Sequence, residues 1–136
     1  MSAEFVDTNV LVYALDGGAG EKHGRSVQLL SRLFEDGAGA LSVQVLAEFY
    51  SVATKKLAMR SQEAEEIIAD LGSWTIHCPA HLDVLRAVRL HRRYGIAWWD
   101  ALIVTSALEL GCSVLWSEDL AHGRRYGAVT ARNPFL

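Results

Sequence analysis

Short apolar runs bounded by turn residues alternate along the chain with longer segments whose apolar positions recur at helical spacing. That alternation marks βαβ units wound around a parallel sheet, an α/β fold class. It predicts strands at Glu4 to Asp7, Ala40 to Ser42, Trp74 to His77, Ser113 to Trp116 and Ala128 to Thr130. A second apolar run, Val10 to Leu15, follows the first strand as a short helix. Residues 24 to 35 place Val27, Leu30 and Phe34 on one side, and Gly37 to Gly39 supply the stop and turn. Residues 43 to 57 gather Val45, Leu46, Phe49, Val52 and Ala53 on one face, with Ser42 available as N-cap. Ser61 is the expected cap of a further helix. Its early Glu63, Glu65 and Glu66 suit the positive end of the helix dipole, and Gly72 ends it. From Gly95 through Leu108 the only ionisable side chain is Asp100, so the helix over residues 97 to 110 is expected to be buried, and Gly111 closes it.

Length and composition fit one domain over residues 1–136. With 136 residues and 51% apolar positions the chain can bury a real core. There is no internal repeat, low-complexity tract or linker. Two cysteines, Cys78 and Cys112, without metal-ligand spacing, argue against a disulfide framework and fit a reducing cytoplasm. No apolar segment approaches the about 18 residues of a membrane span, and the N-terminus lacks a signal-peptide pattern.

Four carboxylates carry the candidate chemistry. Asp7 should lie at the C-terminal end of the first strand, where open parallel sheets bind ligands, or else act as N-cap of the helix that follows. Glu48 borders the apolar stripe of its helix; it either reaches the rim of the sheet or extends to water. Asp100 sits among two tryptophans and aliphatic residues, where an unpaired charge costs several kcal/mol. Its bland alternative is a first-turn acid held by free backbone N–H groups. Asp119 follows the fourth strand, with Glu118 beside it as a competing candidate that physical reasoning does not separate from it. Strand C-termini and helix N-termini share one edge of a right-handed βαβ sheet, so these acids should converge. Like charges about 4 Å apart repel by roughly 4 kcal/mol at an effective dielectric constant of about 20. A divalent cation relieves that repulsion, and oxygen ligands select Mg²⁺ or Mn²⁺.

Charge is uneven. The net charge is −3, unusual for a nucleic-acid binder, yet from Arg86 onward seven arginines face four acids. Arg86, Arg89 and Arg93 recur at helical spacing as a candidate stripe for a phosphate backbone, joined by Arg124 and Arg125; the alternative is a solvated helix face. The histidines have no assigned role, and Trp98 and Trp99 read as packing residues.

Four separated motifs resemble those of PIN-domain nucleases. They are Asp7-Thr8-Asn9, Ser42 with Glu48, Trp99-Asp100-Ala101, and Leu115-Trp116-Ser117-Glu118-Asp119-Leu120. The resemblance covers almost the whole chain and is closest to the short bacterial VapC toxins. It implies a three-layer α/β/α sandwich around a parallel sheet of about five strands, and Mg²⁺- or Mn²⁺-dependent endoribonuclease activity. By the same resemblance Asp7, Glu48, Asp100 and Asp119 are the catalytic and metal-binding acids, and Asn9 and Ser117 orient them. It further implies an RNA substrate, a cognate antitoxin protein and a homodimer.

Two rival readings belong to other classes. Phosphatase-type sites want a second acid two residues after the first and a late lysine; here Thr8 and Asn9 follow Asp7, and no lysine follows Lys56. A non-catalytic interaction module would use the acids only as caps.

Overall fold

The computed structural model describes residues 2–136. The chain runs β1 (Glu4–Val6), α1 (Thr8–Leu15), α2 (Glu21–Asp36), β2 (Gly39–Ser42), α3 (Val43–Lys55), α4 (Ser61–Asp70), β3 (Thr75–His77), α5 (His81–Tyr94), α6 (Trp98–Glu109), β4 (Val114–Trp116), β5 (Arg125–Tyr126) and β6 (Val129–Arg132). The sheet order is β3-β2-β1-β4-β6-β5, and every pairing is parallel except β5 with β6. Two helical groups flank it: α1 to α4 pack among themselves, and α5 packs on α6. The expected α/β/α sandwich is present with a sixth strand. The strand expected at Ala128 to Thr130 is present as β6, shifted to Val129–Arg132, and β5 adds to it a tight antiparallel hairpin at the sheet edge. No described helix is long and apolar enough to cross a membrane.

Successive crossovers from β1 build the sheet outward through β2 and β3, and the chain then returns to add β4 on the other side of β1. The order therefore reverses between β1 and β4, the crevice where doubly wound sheets bind ligands. Phe5, Val6, Leu41 and Leu115 are fully buried in these central strands, as strands covered on both faces require. Phe49 from α3, Leu33 from α2 and Val104 from α6 complete the core. At Gly39 a Cβ would lie 2.4 Å from the buried Trp74 ring, so only glycine lets the β2 backbone approach that indole.

Local chemistry explains several boundaries and corrects others. Ser42 ends β2 and caps α3 through its Oγ, which accepts a hydrogen bond from the Val45 backbone at 3.3 Å. Gly37 closes α2 in the left-handed conformation at φ 62°, as a C-terminal glycine should. Ser61 is the first residue of α4 rather than its cap; Arg60 occupies that position, and the Ser61 hydroxyl bonds Tyr50 Oη at 2.9 Å. The buried stripe of α2 is Ser26, Leu29 and Leu33, so Val27 and Phe34 lie at the surface. Helix α6 is buried along Ile103 to Ala107, as its lack of charge predicts, but Trp99 in its first turn is 63% exposed and does not pack into the core.

Candidate active site

β1 and β4 are hydrogen-bonded neighbours with Val6 opposite Trp116, so the residues leaving both strands emerge side by side. The Asp7 amide donates to the Trp116 carbonyl at 2.9 Å, and Ser117 Oγ donates to Asp7 Oδ2 at 2.7 Å. The Thr8 amide donates to Asp7 Oδ1 at 2.7 Å. Asp7 therefore both caps α1 and faces the crevice, and the two readings of this residue do not compete. Ser117 is fully buried; its Oγ also accepts from the Asp119 amide at 3.1 Å, which fixes the turn carrying Asp119. Asn9 Nδ2 donates to Asp119 Oδ2 at 3.1 Å.

Asp100 enters from the first turn of α6, whose N-terminus lies at the same sheet edge. One oxygen each from Asp7, Asp100 and Asp119 all lie within 4.8 Å of one another. None of the three has an ion-pair partner among the described residues. Burial pushes the Asp7 carboxyl up to about 6; the Asp119 and Asp100 charges add to the rise, and hydrogen bonds from Ser117 and Thr8 oppose it. Burial, then the Asp119 and Glu48 charges, also raise Asp100 above the usual carboxylate range.

Glu48 stands outside this triad. Thr8 Oγ1 donates to its Oε2 at 2.8 Å and Gln44 Nε2 to its Oε1 at 3.1 Å, which holds it on the wall of the same groove as Asp7 and Asp119. Glu118 turns away: it accepts from Tyr13 Oη at 2.8 Å and pairs with Lys22. Burial works against its charge, but the Lys22 and Tyr13 bonds outweigh it and hold the carboxyl below its ordinary range. Of the adjacent pair, Asp119 thus joins the cluster and Glu118 anchors the turn on α1 and α2.

The residues fit a hard dication on two observations. Three carboxylates share one crevice without a compensating protein cation. Beside them Asn9 Oδ1 is buried with no hydrogen-bond partner among the described residues, an oxygen acceptor left available at the site. Oxygen donors alone suit Mg²⁺ or Mn²⁺.

The arginine stripe divides. Arg86 is engaged by Glu109 at 2.6 Å and Asp83 at 3.4 Å. Arg89 is exposed. Arg93 and Arg124 both lie over the Tyr94 ring, at 5.3 Å and 5.5 Å from its centroid. Sequence reasoning missed Thr8 and Gln44 as holders of Glu48 and Lys56 as part of the groove wall. The four-residue spacing of Gln44 and Glu48 was a usable signal; the Thr8 contact spans forty residues and left none.

Comparison with solved structures finds the same fold repeatedly. A toxin-antitoxin complex from Klebsiella pneumoniae is 20% identical with a TM-score of 0.70, covering 97% of this chain and 98% of that one. VapC20 of Mycobacterium tuberculosis, described as a sarcin-ricin loop cleaving toxin, is 18% identical with a TM-score of 0.67, covering 83% and 87%. VapBC2 from Rickettsia felis, bound to a DNA fragment from its promoter, is 22% identical with a TM-score of 0.67, covering 96% and 98%. No individually curated protein sequence matches. The PIN domain family model matches residues 5–127, nearly the full length including all four acids. The chain belongs to the PIN domain family.

Proposed function

We propose that this protein is a Mg²⁺- or Mn²⁺-dependent endoribonuclease acting as the toxin of a toxin-antitoxin pair. The observation that carries the reading is the convergence of Asp7, Asp100 and Asp119, within 4.8 Å, at the reversal point of the sheet. The nucleolytic part draws on the family and on the similarity to a protein described as a sarcin-ricin loop cleaving toxin.

Asp7, Asp100 and Asp119 would hold the ion. A bound dication supplies neutralisation of charge developing on the phosphoryl oxygens and acidifies water at the site. Asp7 is the most constrained of the three, since both its oxygens are already oriented by hydrogen bonds. Ser117 and Asn9 hold Asp7 and Asp119 in register, the outer support on which metal affinity depends. Glu48, kept in place by Thr8 and Gln44, has lone pairs left to orient water or accept a proton from it. In the hydrolysis a water oxygen bonds to phosphorus and the bond to the 3′ oxygen breaks, giving 5′-phosphate and 3′-hydroxyl ends.

A protein partner is part of the reading. Several solved neighbours are toxin-antitoxin complexes, and Val27, Phe34 and Tyr50 present exposed apolar surface on α2 and α3 that an antitoxin or a second copy of the chain could cover.

Incubating the purified protein with a total RNA pool, with Mn²⁺ or with EDTA, tests the activity. Discrete fragments bearing 5′-phosphate ends should form only with the metal. RNA left intact under both conditions, at protein concentrations that bind Mn²⁺, would contradict the reading.

A further inference from the structure

The groove that contains Asp7, Asp119 and Glu48 does not end at the acids. It continues past Val12 of α1 and Val52 of α3 to Lys56, which continues α3 at its C-terminus. Glu48, Val52 and Lys56 follow at four-residue intervals, so they share one face of the helix, each about 6 Å further along its axis. The wall therefore changes character in order: acid, apolar, cation.

Lys56 is exposed, and among the described residues its ammonium has neither a hydrogen bond nor an ion pair. The acid nearest on its own face, Glu48, has both oxygens engaged by Thr8 and Gln44. A free ammonium thus lines a groove whose other end is strongly anionic.

We propose that Lys56 binds the phosphate of a nucleotide adjoining the cleaved linkage, with that nucleotide's base lying against Val12 and Val52. The proposal rests on the nuclease reading of the acid cluster. A phosphodiester held at the acids carries its next phosphate one nucleotide along the strand, and a lysine there meets it as a compact point charge. Apolar walls with one convergent polar group suit a base and its phosphate. The strand must be single, because a base laid against two valines has left its stack. An acidic segment of a protein partner is the rival occupant; continuity with the acid cluster favours the nucleotide.

The test uses a fluorescently labelled single-stranded oligoribonucleotide of mixed sequence, in Mg²⁺, on a Glu48→Gln background that slows turnover and leaves Asp7, Asp100 and Asp119 in place to hold the ion. Adding Lys56→Gln should weaken binding about tenfold and reduce the slope of log affinity against log salt by about 0.7, the value for one lost phosphate contact on a single strand. Lys56→Arg should restore most of both. In the otherwise unaltered enzyme, Lys56→Gln should raise KM by the same factor, with kcat and the Kd for Mn²⁺ unchanged. Unaltered RNA affinity and salt slope overturn the proposal, and so does weakened binding of polyglutamate alone, which would give the lysine to a protein partner. If the unaltered enzyme cleaves RNA while Lys56→Gln changes nothing, only this subsite falls; if it cleaves nothing with Mn²⁺, the nuclease reading falls first.

Discussion

Asp100→Asn should lower metal-dependent RNA cleavage by about three orders of magnitude while leaving the fold intact, because an ion that supplies several kcal/mol to the transition state loses an anionic ligand. The separation of activity from stability follows from where Asp100 sits. It is half-buried in the first turn of α6, and its carboxylate has no hydrogen-bond partner among the described residues. Removing its charge forfeits about 0.3–1 kcal/mol of helix-dipole stabilisation. It also relieves the repulsion from Asp119 and Glu48 that helps to raise its carboxyl. The two changes oppose each other, and the isosteric amide keeps the packing. Measuring kcat/KM on RNA beside a thermal melt checks both halves; an Asp100→Asn enzyme that cleaves at the original rate removes Asp100 from the machinery.

Mn²⁺ should stabilise the protein strongly at pH 7.5 and little at pH 4.5, and Asp7 sets the window. Its folded-state carboxyl is raised to about 6 from an ordinary value of 3.8. The folded state thus holds the proton more tightly, so this contribution to stability is fully present below pH 4 and is lost as pH rises through about 6. A shift of about two pH units corresponds to about 3 kcal/mol. Above pH 6 the metal-free protein carries a buried charge that only a cation relieves. Glu118, Asp83 and Glu4 act oppositely, since their lowered carboxyls stabilise at higher pH and lose that effect as pH falls. The difference between the natural chain and Asp7→Asn isolates the Asp7 contribution. In EDTA the natural chain should lose stability relative to Asp7→Asn between pH 4 and 6, and Mn²⁺ should restore it. Parallel stability curves for the two proteins in EDTA would show that burial does not strain Asp7.

Much of this site was legible in the sequence because it depends on topology more than on side-chain detail. Asp7 and Asp119 follow the apolar runs that become β1 and β4, and the α/β alternation puts strand C-termini on one edge. Asp100 was visible as the lone charge in an otherwise apolar helix, and Ser42 as a cap. What escaped depended on contacts between distant residues. Glu118 and Asp119 are neighbours with opposite fates, decided by Tyr13 and Lys22 about a hundred residues earlier. The phase of α2 was misjudged because Val27 and Phe34 are as apolar as Leu29 and Leu33, and only the sheet beneath selects the stripe. Arg86 read as a free cation because its partner Glu109 lies on another helix. The β5–β6 hairpin is short, and Gly127 at φ 61° is the one local hint of its turn.

Calorimetric titration of Mn²⁺ into the metal-free protein at pH 7.5 tests most directly whether three distant carboxylates form one site for a hard dication. Saturable binding with an integral stoichiometry is expected, abolished by Asp100→Asn. Binding of equal affinity in that variant, or none in the natural chain, would contradict such a site.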